Sequence, residues 1–222
     1  MRIARAWLPL AWTLLAGVLV TAVWAGYMMA DPLAGHRQQA LQHRLHQQWQ
    51  AAPAVPRAQP RPDRIQLTTG LPFALMRVPA FGRNWQFAVV EGTSLRQLAL
   101  GPGHVRGTGL PGRPGNFVVA AHDVTAGNPF LHLRQLRRPD KVFVRTQHWL
   151  YEYAVRSERV VRYTDTGVEY PVPGHPGRAA HRSLITLITC TPVTLSFTPW
   201  RIVVTGELVR SVPRGKSMGS RA

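Results

Sequence analysis

The sequence predicts a mostly β, barrel-like domain that follows one membrane-spanning segment. Short runs of β-branched and apolar residues recur between residues 71 and 209, separated by turns rich in Gly and Pro. Patterns with helical periodicity are few in the same region. A stretch without any charged side chain, Ala6–Ala30, comes before it. These three observations fix the expected order of the chain: a short basic end (residues 1–5), an anchor (6–30), a connecting region (31–64), a folded domain (65–209) and a tail (210–222).

The anchor segment has the length and composition of a transmembrane helix. As a helix, Ala6–Ala30 would reach ~37 Å, enough to cross a hydrocarbon core of ~30 Å. Trp7, Trp24 and Tyr27 lie towards its ends, where interfacial aromatic residues are found. The competing interpretation is a cleaved signal peptide, whose apolar core is usually only ~7–15 residues long. We therefore expect an uncleaved, single-pass anchor.

The connecting region, residues 31–64, divides into two parts. Leu41, Leu45 and Trp49 recur every four residues and predict a short amphipathic helix. Ala51–Arg64 contains several prolines and no apolar periodicity, which is typical of a semi-rigid extended spacer. This second part is expected to hold the domain away from the membrane.

The elements of the domain follow from propensity and turn residues. Ser94 and Gln97 have capping-box spacing and predict a short helix over Thr93–Leu100. Tyr163–His181 is a long loop with several Gly and Pro residues, and residues 210–222 are expected to be a basic, disordered tail. Before that loop, strands are predicted over Leu71–Val78, Trp85–Val90, Asn116–Ala121, Lys141–Arg145 and Tyr151–Glu158.

The most informative stretch of the chain is Leu184–Arg201, which contains the single cysteine. Leu184–Thr189 is mostly β-branched and apolar, as a buried strand requires, so Cys190 lies at the carboxyl end of a strand. A second apolar run opens at Arg201, and the upstream run over Asn116–Ala121 ends at His122. The sequence therefore predicts a thiol, an imidazole and a guanidinium at three strand ends, the groups of a cysteine transpeptidase.

This ordered set of residues resembles the sortase family. The family pattern is a His that closes one strand, a TLxTC strand, and an Arg that opens the next strand. Here the pattern reads His122, then Thr186–Cys190 (TLITC), then Arg201. The resemblance covers roughly Leu71–Val209 and is closest to the class E sortases of high-GC Gram-positive bacteria. It implies an eight-stranded β-barrel.

The resemblance also implies what the protein acts on. A membrane-anchored sortase cleaves a C-terminal sorting motif, LAxTG-like or LPxTG-like, in secreted proteins, and transfers the acyl group to a peptidoglycan precursor or another cell-wall amine. The catalytic domain is then expected outside the cell, at the membrane. No metal or other cofactor is expected, because the candidate loops offer only Asp123, Asp165 and Glu169, whereas Ca²⁺ prefers ~6–8 oxygen ligands.

The catalytic residues predicted by the resemblance are His122, Cys190 and Arg201. Cys190 would attack the scissile carbonyl and His122 would protonate the leaving amine. Arg201 stays protonated, so its expected roles are donation to the oxyanion or to the peptide backbone. A nearby imidazolium and guanidinium are expected to favour the thiolate form of Cys190.

Other residues near the site have weaker assignments. Thr189, Tyr170 and Ala121 are predicted to contact the substrate, with Tyr170 supplied by the long loop before the cysteine strand. Asp123 follows His122 directly, and on a strand its side chain would point the other way. No carboxylate is therefore expected to orient His122, in keeping with the sortases.

Composition excludes some other classes. One cysteine leaves no internal disulfide, and the net charge of +17 comes almost wholly from arginine, as GC-rich coding produces. No nucleic-acid partner is predicted, since arginines do not alternate with aromatic residues along a stripe. Two alternatives stay open: a non-catalytic membrane-anchored β-domain that binds sorting signals or wall, and an L,D-transpeptidase-like enzyme, although that family places His and Gly just before its cysteine.

Overall fold

The computed structural model describes residues 37–51, 65–193 and 197–214. The expected anchor (6–30), nearly all of the spacer, and residues 215–222 lie outside the described residues. Residues 1–40 and 41–222 form two units. Only 37–40 of the first unit are described, and they are helical. No helix in the described ranges combines the length and apolar character needed to cross a membrane.

Within the described residues, eight strands form one closed barrel in the order β1-β2-β3-β4-β7-β8-β6-β5. The pairs β2–β3 and β4–β7 are parallel, and the other pairs are antiparallel. The predicted mostly β barrel is therefore confirmed. The strands are β1 (Pro72–Arg77), β2 (Gln86–Glu91), β3 (Gly103–His104), β4 (Gly115–Ala120), β5 (Lys141–Arg145), β6 (Trp149–Arg162), β7 (Ser183–Thr191) and β8 (Trp200–Pro213).

The described helices are short and few. Helix α1 covers residues 37–51 and α2 covers Leu95–Leu98. The Ser94 hydroxyl contacts the Gln97 side chain, so the predicted spacing does bring these two groups together at the start of α2. Three 3-10 turns, at Pro79–Phe81, Leu133–Gln135 and Thr166–Glu169, complete the helical content.

The part of helix α1 from Leu41 onwards packs on the outside of the barrel. Leu45 and Trp49 are buried against β1 and β2, and Leu41 packs beside them, which confirms the predicted amphipathic spacing. Gln42 fixes the contact, because its Oε1 accepts from the Ala88 amide at 3.0 Å and its Nε2 donates to a backbone carbonyl. The second half of this helix is thus part of the folded domain rather than of the spacer.

Strand β8 continues beyond the expected end of the domain at residue 209. It pairs with β6 as far as the register Trp149↔Pro213. The expectation of a disordered tail over 210–222 is therefore wrong for residues 210–213. The reason is that β6 is long enough to provide hydrogen-bond partners for these residues, which propensity alone does not reveal.

The direction of the side chains of β7 decides where the cysteine points. Ile185 and Leu187 lie in the core of the barrel. Because successive side chains of a strand point to opposite faces, Thr186, Ile188 and Cys190 lie on the outer face. Any site at Cys190 is therefore on the outer wall of the barrel, not inside it.

A buried ion pair fastens the loop that leads into β4. His104 Nδ1 lies 2.6 Å from a carboxylate oxygen of Glu91, and both side chains are buried. His104 Nε2 lies 3.1 Å from the Gly109 carbonyl oxygen and 3.0 Å from the Thr108 hydroxyl, which itself donates to the Val105 carbonyl. Since those oxygens accept, Nε2 carries a proton, and every polar group of the pair has a partner. His104 is therefore a structural residue.

Candidate active site

Cys190 and Arg201 are direct partners across two neighbouring strands. The antiparallel register of β7 and β8 includes Cys190↔Arg201, next to the final pair Thr191↔Trp200. Opposite residues of an antiparallel pair share a face, with Cβ atoms about 4.5–5.5 Å apart. The predicted placement of a thiol and a guanidinium at adjoining strand ends is confirmed.

His122 leaves the sheet beside the same end of β7. Strand β4 runs parallel to β7 with Ala120 opposite Ile188. One residue further on, the Ala121 amide donates to the Ile188 carbonyl at 3.1 Å, and the Thr189 hydroxyl donates to the Ala121 carbonyl at 2.7 Å. The His122 carbonyl then accepts from the Phe130 amide at 3.0 Å. The backbone on both sides of His122 is thus held next to the residue that precedes Cys190.

The guanidinium of Arg201 is held by backbone groups of its own strand end. Its Nη1 donates to the carbonyl oxygens of Thr198 at 2.7 Å and Trp200 at 2.8 Å. Its Cζ lies 5.9 Å from the centroid of the Tyr163 ring, and Tyr163 is fixed by a 2.8 Å bond from its amide to the Pro199 carbonyl. These contacts hold one end of the planar group in place, as oriented donation to a substrate oxygen requires.

The pKa of Cys190 is raised overall, so the expected stabilisation of its thiolate is not obtained, although Arg201 acts in the expected direction. The thiol is about half buried, and this burial raises the pKa of Cys190, because a thiolate is poorly solvated there. The positive charge of Arg201 lowers the pKa of Cys190, and the negative charge of Asp123 raises it. Burial outweighs the arginine, so the neutral thiol is the favoured form at neutral pH.

Asp123 is part of this site, contrary to the expectation that it points away. Strand β4 ends at Ala120, so residues 121–123 do not follow the alternation of a strand. Only 3% of the Asp123 residue is exposed, and its charge acts on the Cys190 thiol. Its Oδ2 has no hydrogen-bond partner among the described residues.

The residues predicted to contact substrate have different environments. Ala121 and Thr189 are 6% and 5% exposed, and they are bonded to each other through the Thr189 hydroxyl. Their burial favours a role in positioning His122 over contact with a peptide. Tyr170 is 37% exposed at the end of the Thr166–Glu169 turn, so its ring remains accessible.

Asn116 holds a loop beside the site, and this role was not predicted from the sequence. It is fully buried on β4, and its Oδ1 accepts from the Thr186 hydroxyl at 2.7 Å. Its Nδ2 donates to the carbonyls of Val168 at 2.9 Å and Tyr170 at 3.2 Å. The loop between β6 and β7 is thereby tied to the outer face that carries Cys190. The available signal was an amide side chain within an apolar strand, because a buried amide needs partners.

Potential metal ligands do not gather at this site. In the ranges that the structure describes, no three His, Cys, Asp or Glu side chains come close enough together to hold a metal ion. The charged groups that act on Cys190 are instead the Arg201 guanidinium and the Asp123 carboxylate, and the His122 backbone lies beside the same strand end. Such a set is suited to proton transfer and to stabilisation of an oxyanion.

Comparisons with known proteins agree with this geometry. The sortase domain family matches residues 76–209. Sortase SrtE1 from Streptomyces coelicolor is 33% identical over 155 residues, which are 66% of this chain and 43% of that protein. Sortase SrtE2 from the same organism is 30% identical over 203 residues, which are 87% of this chain and 76% of that protein. The chain thus spans less than half the length of SrtE1 and about three quarters of SrtE2.

A solved structure extends the likeness to the fold. Sortase E from Streptomyces avermitilis is 34% identical, with a TM-score of 0.60, and the match covers 68% of this chain and 97% of that chain. The family match over residues 76–209 includes His122, Cys190 and Arg201. The domain match covers more than half of the chain and two class E sortases are at least 30% identical to it, so the chain belongs to the sortase family of cysteine transpeptidases.

Proposed function

We propose that this chain cleaves a C-terminal sorting motif of secreted proteins and transfers the acyl group to a cell-wall amine. The observation that carries the proposal is the strand register that sets Cys190 opposite Arg201. The segment with His122 is bonded to the adjoining part of β7. In this proposal, the nucleophile Cys190, the proton carrier His122 and the fixed cation Arg201 act together on the outer wall of the barrel.

The first half of the reaction acylates Cys190. Because the neutral thiol is favoured, the sulfur passes its proton to His122 as it attacks the scissile carbonyl carbon. A C–S bond forms and the carbonyl oxygen becomes an oxyanion. When the C–N bond breaks, His122 returns the proton to the leaving amine, and a thioester on Cys190 remains.

The second half releases the product by the reverse steps. A neutral wall amine attacks the thioester carbonyl, and His122 accepts a proton from the attacking nitrogen. The C–S bond breaks, and the sulfur leaves as a thiolate that recovers the proton from His122. Arg201 does not move protons, because a guanidinium stays charged; it donates to the oxyanion or to the peptide backbone.

The loop between β6 and β7 supplies one wall of the peptide site in this proposal. Asn116 ties that loop to the face of Cys190, and Tyr170 is its accessible aromatic residue. Tyr170→Ala is expected to change the ranking of LAxTG against LPxTG peptides while the melting temperature holds. Leu67→Ala, which alters an exposed side chain outside the barrel strands, is the control. An unchanged ranking in a stable Tyr170→Ala variant would remove Tyr170 from the site.

The proposed location is the cell membrane, with the barrel outside the cell. The support is the charge-free stretch Ala6–Ala30 and the extracellular nature of sorting substrates. Protease added to intact cells should digest the barrel, while the chain should sediment with membranes before digestion. A soluble mature chain beginning near Gly26 would favour a cleaved signal peptide instead.

The main test is turnover of a panel of sorting peptides with and without an added amine. The proposal expects a mass shift on Cys190 from the thioester, peptide hydrolysis without amine, and a transfer product with amine. Cys190→Ala should show none of the three. Full transfer by Cys190→Ala would refute the proposal.

One observation favours a second candidate, a non-catalytic domain that binds sorting signals. The raised pKa of Cys190 is what an inert, partly buried thiol would show. A thiol-reactive probe separates the two: a catalytic Cys190 should be labelled and then protected by bound peptide. A domain that only binds should bind the peptide while Cys190 stays unlabelled.

A further inference from the structure

One buried hydroxyl bridges the end of the cysteine strand and the beginning of the arginine strand. Thr198 is 6% exposed and lies two residues before β8. Its Oγ1 donates to the Thr191 carbonyl at 2.7 Å and accepts from the Trp200 amide at 3.3 Å. Thr191 and Trp200 are the last pair in the register of β7 and β8. The hydroxyl therefore joins the two strands at the end where Cys190 and Arg201 lie.

The carbonyl of the same threonine holds the guanidinium of Arg201. Nη1 of Arg201 donates to the Thr198 oxygen at 2.7 Å and to the Trp200 oxygen at 2.8 Å. Within the described residues, both hydrogen bonds of this guanidinium come from Nη1. Trp200 is the preceding residue on the same strand, so its carbonyl follows Arg201 wherever the strand lies. Thr198 is thus the acceptor that is also fastened to the cysteine strand.

The placement of this guanidinium matters to the nucleophile. Cys190 lies opposite Arg201, whose positive charge lowers the pKa of the thiol. The other charged group that acts on the thiol is Asp123, and it raises that pKa. An arginine side chain has several rotatable bonds, and the interaction of two charges weakens with their separation. The effect of Arg201 on the sulfur therefore depends on the groups that hold Nη1.

We propose that Thr198 is a positioning residue for Arg201: its hydroxyl fastens the beginning of β8 to the cysteine strand, so that its carbonyl holds the guanidinium beside Cys190. This inference rests on the proposed transpeptidase function, in which Arg201 donates to the oxyanion or to the peptide backbone. A threonine that only stabilised the fold would act whether or not an arginine were present. A positioning threonine acts on the thiol through Arg201 and loses that action when the guanidinium is removed.

The first measurement removes the hydroxyl and keeps the shape of the side chain. Thr198→Val is expected to lower kcat/KM for a sorting peptide about tenfold, because a displaced donor stabilises the oxyanion less well. It should also raise the pH midpoint of Cys190 alkylation by iodoacetamide by about half a unit, part of the ~1–3 units that an adjacent opposite charge produces. Thr198→Ser keeps the hydroxyl, so its kcat/KM should stay within about twofold of the parent value.

The matched control is a second buried threonine with the same pattern of bonds. Thr146 is 1% exposed, and its Oγ1 donates to the Trp149 carbonyl and accepts from the Trp149 amide, both at 3.2 Å. Trp149 pairs with Pro213, at the opposite end of β8 from Arg201. Thr146→Val should lower the melting temperature, as Thr198→Val does, but should leave kcat/KM and the Cys190 midpoint unchanged.

A double variant shows whether Thr198 acts through the arginine. Arg201→Gln alone should raise the alkylation midpoint of Cys190. Adding Thr198→Val to that chain should produce no further rise, because the charge that the threonine positions is absent. Alkylation needs no peptide turnover, so this comparison tests the placement of Arg201 even in a chain that transfers no peptide. If Thr198→Val does not fold, Thr198→Ala against Thr198→Ser carries the same comparison.

Three outcomes would overturn the inference. The first is an alkylation midpoint that does not rise in Thr198→Val. The second is a rise of equal size in the parent and in the Arg201→Gln chain, which would mean that Thr198 acts on Cys190 without the arginine. The third is an equal loss of kcat/KM in Thr198→Val and Thr146→Val, which would make Thr198 a structural residue only. A parent chain that forms no thioester with any peptide would instead refute the proposed function.

Discussion

Two buried carboxylates of the barrel, Glu91 and Asp123, have opposite surroundings. Glu91 is 6% exposed and meets His104 at 2.6 Å, while the ring of His104 has partners at its other nitrogen. Asp123 is 3% exposed, and its Oδ2 has no partner within the described residues. Both side chains follow or end strands of the same barrel, so burial alone does not distinguish them.

The difference between them separates structure from chemistry. A buried charge with every hydrogen bond satisfied holds its segment in one arrangement, and here it fixes the loop that leads into β4. The Asp123 carboxylate, whose Oδ2 has no partner within the described residues, instead acts on the nucleophile Cys190. Mutation of the pair of His104 and Glu91 is therefore expected to lower stability. Mutation at the active site is expected to lower the rate.

The largest expected effect is the loss of transpeptidation rate when His122 is replaced. His122→Ala should lower transpeptidation by about 10³-fold, within the range for loss of a general acid–base group. The free energy of unfolding should change by less than ~1 kcal/mol, because the side chain is not in the core. Peptide turnover and urea denaturation measure the two quantities. Activity close to that of the parent chain would refute the assignment.

The buried pair of His104 and Glu91 should show the reverse response, a loss of stability. His104→Leu removes the close partner of the buried Glu91 carboxylate and leaves only the exposed Arg106 at 4.0 Å, so the free energy of unfolding should fall by ~3–5 kcal/mol. Lys141→Gln breaks the more exposed pair between Lys141 and Glu152 and should lower it by less than ~1 kcal/mol. Chemical denaturation of both variants gives the comparison. Equal losses would mean that the buried pair contributes no more than a surface pair.

The guanidinium geometry at the site gives the next effect. Arg201→Lys should lower kcat/KM by about 10²-fold, since an ammonium cannot reproduce both the backbone contacts and an oriented donor. Arg162→Lys is the matched control, because Arg162 stacks on the exposed Trp200 ring on the neighbouring strand. It should retain activity. A fully active Arg201→Lys variant would show that only the charge matters.

The smallest expected effect is a shift in the pH dependence of thiol alkylation. Burial and Asp123 raise the pKa of Cys190, so the rate with iodoacetamide should reach half its maximum above pH ~8.5, the usual thiol value. Asp123→Asn should move this midpoint to lower pH, and Arg201→Gln should move it to higher pH. Cys190 is the only cysteine, so the label reports one site. A midpoint below the usual value would contradict the dominance of burial.

The strands were predictable where their sequences are long apolar runs. β1, β2, β5 and β7 coincide closely with the predicted runs because apolar side chains, β-branched in β2, β5 and β7, fill their buried positions. β3 has only Gly103 and His104 and no such signal. The length of β6 and β8 was also hidden, since their outer parts are polar and depend on each other for hydrogen bonds. Closure of β5 against β1 joins segments far apart in sequence.

The sequence by itself determined the order and chemical identity of His122, Cys190 and Arg201 and the strand ends on which they lie. Strand propensity and motif spacing act over a few residues, so they can be read without a fold. The tertiary structure decided the burial that raises the Cys190 pKa, the covered position of Asp123, and the loop that Asn116 holds. Desolvation and pairing depend on atoms that distant segments bring together, and only the closed barrel brings them together.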